Sequence, residues 1–379
     1  MTYTSPILSV HGAVEASGPD AGVAAHYGDP IKEQRRLERS TDGSPAAVDL
    51  SHRGVVSVTG DDRASWLTTL SSQVISGLPV GTSSELTLLS AQGRIEFQPH
   101  VIVGAEAIWL IVESGQQEAL ATFLDSMRFM LRVEVNDVTA NYAVVGSTRS
   151  LAGRAGVPDD VAEWQDPWPA IGPGGTSYSA VEAHPGEEWE YWETLVPRTL
   201  LGELTVEWCG SWALEALRIA AWRPRYATEV DEKSIPHELD LMRTAVHLSK
   251  GCYKGQETIA RVHNLGHPPR RLVFLDVDGS EHTLPEVGAE VFAPGGKRPA
   301  GRITSVALHH EAGPIALAVI KRGVDPEESL IIRDSTSHVE AGAETEGSVT
   351  VEYAAAQTVV VSPDAGQAVG RRNRGDFLK

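Results

Sequence analysis

The pair Pro268-Pro269 divides this chain into two textures. Neither proline can donate a backbone hydrogen bond, and each disfavours helix in the residue before it. Beyond the pair, short β-branched segments recur at 272–277, 290–292, 303–307, 315–320, 330–332, 349–351 and 358–361, punctuated by Gly, Pro and Asp. That spacing predicts a small all-β barrel or sandwich over 269–368. Before the pair, strand-like and helix-like segments alternate, which predicts α+β architecture.

A chain of 379 residues is too long for one small core, so two or three domains are expected. Residues 1–45, rich in Gly, Ser, Ala and Pro, read as a flexible N-terminal extension with at most one short helix, in the charged patch 32–39. Residues 46–140 with 209–268 form the first α+β unit, 141–208 the second, and 369–379 a basic tail. In the first unit, Trp66, Leu67 and Leu70 share a helix face, and Leu120, Phe123, Leu124, Met127 and Met130 fill the core from a helix over 116–130. In the second, a helix is expected near 147–155 and a loop over 164–175. A further helix over 211–221 stops before Trp222-Arg-Pro224, and 340–347 is an acidic surface loop.

Composition removes several function classes. No run reaches the roughly 18 apolar residues of a membrane span, and the N-terminus lacks the basic-then-apolar order of a signal peptide. A cytoplasmic protein is expected, with Cys209 and Cys252 reduced. No C-x-x-C exists, so no cysteine metal centre is expected. A net charge of −19 argues against capture of duplex DNA or an anionic membrane, yet leaves room for a local basic pocket that takes an anionic small molecule.

The stretch Lys250-Gly-Cys-Tyr-Lys-Gly-Gln-Glu257, followed by Thr258-Ile-Ala-Arg261, carries the chemistry. It sets a cysteine between two glycines and two lysines. Glycine admits close backbone approach, and neighbouring ammonium groups favour thiolate over thiol. Cys252 therefore reads as a functional thiol, the alternative being a tight turn in which it fills space. A phosphate loop is discounted, because Lys254 precedes the second glycine instead of following it.

The octapeptide resembles the K-G-C-Y-x-G-Q-E motif of the YgfZ-type folate-binding proteins, relatives of the glycine-cleavage T-protein (aminomethyltransferase). Leu217-Arg-Ile-Ala-Ala221 and Ile235-Pro-His-Glu238 are similar to the family's R-I-A-A-G and I-P-Q-E elements. Arg261 and Arg270-Arg271-Leu272 follow its R…G…R-x-L pattern. Gly301-Arg-Ile-Thr-Ser305 and Gly313-Pro-Ile-Ala-Leu-Ala318 resemble its barrel strands, and Val58-Thr-Gly-Asp-Asp62 and Gln92-Gly-Arg-Ile95 match more loosely. The resemblance implies a three-domain cloverleaf around a channel that binds tetrahydrofolate or a derivative. Lys250, Gly251, Tyr253, Gly255, Gln256, Glu257, Arg261, Arg218 and Trp222 are the candidate folate contacts, with Arg223 nearby. Folate carries a pterin with hydrogen-bonding edges and a carboxylate tail, which suits amides, planar surfaces and arginine forks. Alternatives are an ion pair of Arg218 with Glu215 and a packing role for Trp222.

Departures from the T-protein pattern favour the YgfZ branch. The T-protein's R-L-E-A-G glutamate, which grips the pterin, corresponds to Ala220. Its acidic pair after a G-G-I-I turn is met here by Glu96-Phe97-Gln98, out of step. That branch implies support of iron–sulfur cluster assembly or repair, with iron–sulfur client or assembly proteins as partners. A lone cysteine cannot hold a stable cluster, so Cys252 is cast as a transient ligand, a sulfur or methylene handler, or a redox-sensitive contact. A folate-dependent aminomethyltransferase or one-carbon transferase, and a non-catalytic scaffold, are the other readings.

Overall fold

The computed structural model describes residues 3–335 and 350–367. The segment 340–347 and the tail 369–379 lie outside these residues. Six α-helices punctuate the described chain: α1 (Pro30–Glu38), α2 (Arg63–Leu70), α3 (Gln117–Ser126), α4 (Ser211–Ala220), α5 (Tyr226–Glu229) and α6 (Gln256–Leu265).

Two five-stranded sheets and a closed six-stranded barrel carry the rest, the α+β architecture with a C-terminal barrel that the chain's textures predict. The first sheet orders Glu134–Asp137, Gly54–Thr59, Ala107–Val112, His100–Val103 and Ser83–Glu85, all antiparallel. Its apolar face packs on α2 and α3 through Val56, Val58, Trp66, Leu67, Leu110, Leu120 and Leu124. The second sheet orders Glu163–Gln165, Trp192–Pro197, Tyr142–Ser147, Ala46–Asp49 and Glu207–Cys209, the last pair parallel. The barrel closes when Val351–Val359 returns to pair with Arg270–Val277. Val351, from the segment expected at 349–351, and Thr358 and Val359, from the one at 358–361, thus belong to one strand.

Between these bodies runs α4. Its buried side (Ala213, Leu214, Ala216, Leu217, Ile219) packs on α1 and on the barrel strands Gly301–His309 and Gly313–Lys321. The helix ends at Ala220, and Trp222 follows at φ 56°, turning the chain before Pro224. Near the domain seam, Arg270 donates to Asp231 at 2.6 Å and to Glu238 at 2.7 Å, tying the barrel to the Ile235–Glu238 element.

Several expectations need correction. The first forty-five residues are not a loose extension: Val23 to Ala25 and Leu37 are buried, and the strands Val14–Glu15 and Ala24–His26 pair. Burial is fixed by two carboxylates. Glu33 accepts from the backbone N–H of Gly210 at the start of α4, and Asp20 pairs with Arg225. Strand Ala46–Asp49 was expected in the first unit but pairs within the second sheet, where it is buried on both faces. No helix forms near 147–155, where Leu151 and Ala152 instead donate backbone N–H groups to Glu163. Within the expected loop 164–175, Trp164 is a strand residue, fully buried and stacked on His100 with ring centroids 3.8 Å apart. Helix α3 stops at Ser126, and Phe129 takes φ 48°, so Met130 turns to solvent (98% exposed) instead of filling the core.

Candidate functional site

The loop 250–255 is braced from both ends. The Lys250 ammonium donates to the carbonyls of Thr68 and Ser71 at the end of α2, where a helix leaves carbonyls unpaired. It also lies 4.5 Å above the Tyr253 ring. Burial pushes the Lys250 ammonium down to about 8 and the Tyr253 hydroxyl up to about 12. Gln256 closes the loop by donating its side-chain amide to the Lys250 carbonyl at 3.3 Å.

Two glycines interlock this loop with the hairpin of Leu88–Leu89 and Ile95–Phe97. Gly255, at φ 85°, precedes α6, and a Cβ there would lie 2.6 Å from the Ser90 carbonyl oxygen. Gly93, at φ 75°, leaves no room for a Cβ against Thr258, 2.9 Å away. Only glycine meets both the left-handed backbone and the close approach. Lys254 pairs with Glu96 of the hairpin at 3.1 Å.

What the brace presents is Cys252, a free and exposed thiol. The ammonium groups of the flanking lysines are both engaged, Lys250 with the backbone carbonyls of Thr68 and Ser71 and Lys254 with Glu96. Cys209 is free and buried, its thiol pushed up to about 12 by burial and by the nearby Glu33 carboxylate. On α6, Ile259 faces the core, while Glu257 and Arg261 are exposed. Among the described residues, no hydrogen-bond or ion-pair partner engages the Arg261 guanidinium.

A second polar region lies where the two sheets meet α4. Four arginines (Arg53, Arg218, Arg223, Arg225) border a narrow cavity of about 40 Å³, with Gln98, Glu113, Asp166 and Tyr226 also in its wall. Arg223 bonds Glu85 at 2.6 Å and Asp166 at 2.9 Å. Arg225 bonds Asp20 and Glu113, each at 2.8 Å. Arg218 bonds Glu215 at 2.5 Å and Glu229 at 3.1 Å, while Arg53 and His100 share Glu193. Burial opposes ionisation of Glu113 and Glu193, but neighbouring cations win and hold both carboxyls down at about 2: Arg225 and Arg53 for the first, His100 and Arg53 for the second. Asp166 is pushed up, by burial first and by the Glu85 carboxylate beside it. The amide oxygen of Gln98 is buried with no partner among the described residues. The cavity has room for water but not for a pteridine ring, unless these side chains move.

Trp189 also borders a larger, more open cavity of about 340 Å³. Leu217, Ala220, Ala221, Arg149, Glu188 and His309 are among its other walls. Its volume falls within the ordinary range for small-molecule sites, about 300–1,000 Å³. Arg149 donates its Nε–H to the Ser40 carbonyl, and its Nη groups have no partner among the described residues.

The predicted site residues are therefore distributed over separate regions. Arg218 lies in the narrow cavity and forms the ion pair with Glu215 that was its alternative reading. Trp222 is buried and packs against Phe274 and His184. It shares an apolar core with Tyr253, but no residue of 250–261 borders either cavity. Sequence reading missed Arg149, Trp189, Gln98 and Arg225. The density of arginine at and just after the end of α4 (Arg218, Arg223, Arg225) was the available signal, since buried guanidiniums demand buried carboxylates. Among the described residues no cluster of His, Cys, Asp and Glu could hold a metal, and no helix is long and apolar enough to cross a membrane.

No family model matches the chain. The chain is similar to a chloroplastic protein of Arabidopsis thaliana named as a candidate transferase, 26% identical over 299 residues, covering 74% of this chain and 66% of that one. It is also similar to an aminomethyltransferase of Corynebacterium jeikeium, 25% identical over 77% of this chain and 83% of the relative. A tRNA-modifying protein YgfZ of Aliivibrio fischeri is 27% identical over 140 residues, 36% of this chain and 43% of that protein. In three dimensions the chain matches the glycine cleavage aminomethyltransferase T of Bartonella henselae, with a TM-score of 0.71 over 97% of this chain and 99% of that one, at 17% identity.

Proposed function

Because this chain is a YgfZ-type member of the superfamily of the glycine-cleavage T-protein, we propose that it binds tetrahydrofolate or a derivative and uses Cys252 in support of iron–sulfur cluster assembly or repair. The observation that carries the folate reading is the 340 Å³ cavity at Ala220. Where the T-protein pattern has its pterin-gripping glutamate, this chain has a methyl group bordering open space. The buried Trp189 side chain supplies an apolar wall for a flat heterocycle, and the free Nη groups of Arg149 suit a tail carboxylate. The role of Cys252 rests on its exposure, on a loop held by Lys250, Gly255 and Gln256, and its proposed setting is the cytoplasm, where the thiol stays reduced. Partners on this reading are iron–sulfur client or assembly proteins.

An aminomethyltransferase reading is weaker on one specific observation. The residue that reaches the narrow cavity from the Glu96-Phe97-Gln98 stretch is the amide Gln98, while Glu96 is spent on Lys254 at the surface. An amide cannot serve as a proton acceptor in the way a carboxylate does.

Titration calorimetry with tetrahydrofolate tests the proposal and locates the ligand. With folate in the Ala220 cavity, Arg149→Ala weakens binding by about 1.5–3 kcal/mol and Arg261→Ala leaves it unchanged. The reverse result moves the ligand to the face of α6. Absence of wild-type binding at high micromolar folate would remove the folate reading altogether.

A further inference from the structure

The barrel carries a cluster of cations that neither the loop nor the two cavities use. Arg270 stands directly opposite Lys321, and Val319 opposite Arg302, on adjacent antiparallel strands. Side chains two residues apart on a strand share a face, so Arg270, Lys321, Val319 and Arg302 all lie on one face. Like charges placed directly across a sheet oppose folding. Here the arrangement is only partly compensated. Asp231 accepts from Arg270 at 2.6 Å and from Arg302 at 3.3 Å, drawing two guanidiniums to one carboxylate oxygen. Lys321 donates to the Pro299 carbonyl at 2.8 Å and has no carboxylate partner among the described residues.

These groups line an open cleft of about 500 Å³, with Lys233 and Glu232 on its rim and Pro299, Ala300 and Val319 as an apolar floor. Its lining holds four cations against two carboxylates, and Glu238 behind it pairs with Arg270 at 2.7 Å, which leaves a local excess of one positive charge in a chain of net charge −19. Lys297 and Arg298, exposed on the loop leading into Pro299, add to it. Glu290 stands opposite Arg302 on the neighbouring strand, without an ion pair between them among the described residues.

We propose that this cleft is a binding site for a compact phosphate-bearing anion, of the size of pyrophosphate or a nucleoside diphosphate, with Arg302, Lys321 and Lys233 as its oxyanion partners. Guanidinium and ammonium groups fixed on a sheet face suit adjacent phosphate oxygens, and the apolar floor has room for a flat ring. A small ligand is favoured over a long polyanion by the charge of the whole chain. Attraction in the cleft acts within about 8 Å at physiological salt, whereas a nucleic acid backbone would extend over the acidic remainder.

The test uses the full chain with pyrophosphate, ADP and a single-stranded RNA oligomer as separate titrants, at low and physiological salt. Saturable binding of pyrophosphate or ADP is expected, and tighter binding of ADP would assign the floor to the base. The double variant Arg302→Ala/Lys321→Ala should weaken binding about tenfold or more, with an unchanged melting temperature and unchanged folate affinity. Glu232→Gln, a neutral swap at an exposed rim residue, should strengthen it. The proposal is overturned if neither small anion binds, if both variants leave affinity unchanged, or if the RNA oligomer binds more tightly than ADP.

Discussion

The narrow cavity and the loop 250–255 both gather cations beside α2 to α5, yet they use them in opposite ways. In the cavity, Arg218, Arg223 and Arg225 are buried and each meets at least two carboxylates. In the loop, Lys250 is held by backbone carbonyls and the Tyr253 ring with no carboxylate partner among the described residues, and the neighbouring thiol is left to solvent. A buried, fully paired charge network resists change, because removing one member strands the others. A loop fixed by Lys250, Gln256 and two glycines leaves the Cys252 thiol exposed to solvent. On the function proposed above, the first region is architecture and the second carries the chemistry.

The sharpest way to break that assignment is Arg223→Met. It strands the Glu85 and Asp166 carboxylates in the interior and should cost about 3–5 kcal/mol in chemical denaturation. A loss below about 1 kcal/mol would mean the cavity tolerates unpaired charge, as a ligand site must.

Acid offers a second probe of the network. Glu113 and Glu193 have folded-state values of about 2, below their unfolded value near 4.5. Their contribution is fully present above the unfolded value and is lost as pH falls from about 4.5 towards 2. Linkage puts it on the order of 3 kcal/mol for each carboxyl. Melting temperatures measured from pH 6 to pH 2.5 should therefore fall most steeply below pH 4.5, and Glu193→Gln should flatten that slope.

The loop should answer to backbone changes instead. Gly255→Ala places a Cβ against the Ser90 carbonyl at a left-handed φ, and should cost about 1–3 kcal/mol while displacing the hairpin at Gly93. Loss of Cys252 reactivity together with stability would show that the hairpin positions the thiol.

How much of this was legible beforehand follows from the physics of each feature. The barrel was readable because its strands are short, β-branched and punctuated, and α4 because Pro224 follows it closely. The loop was readable from its own residues, since glycine spacing is local. The two cavities were not. Arg149, Trp189 and Ala220 are far apart in sequence and meet only through packing, and nothing local marks Asp20 as the partner of Arg225, 205 positions away. Compositional reading failed for the first forty-five residues for the same reason: Gly and Ser content says nothing of a long-range ion pair. It failed in the opposite sense for Met130, whose helical spacing continues past the point where the backbone turns away.

The smallest expected effect on stability is also the most direct test of the loop's role. Cys252→Ser replaces an exposed side chain with a near-isostere, and should change unfolding free energy by no more than about 0.5 kcal/mol. Its consequence should appear in chemistry. In the native protein at pH 8, iodoacetamide should label Cys252 first, because an exposed thiol meets the reagent directly. Cys209 is buried and its thiol is pushed up to about 12, so it should react only after denaturation. Mass spectrometry of the two cysteine peptides separates these outcomes. Equal labelling of both would dissolve the distinction between a presented thiol and a packed one. Selective labelling of Cys252, with normal folate affinity but poor support of iron–sulfur enzymes by the Cys252→Ser protein, would place the function of the loop in its sulfur atom and not in its turn.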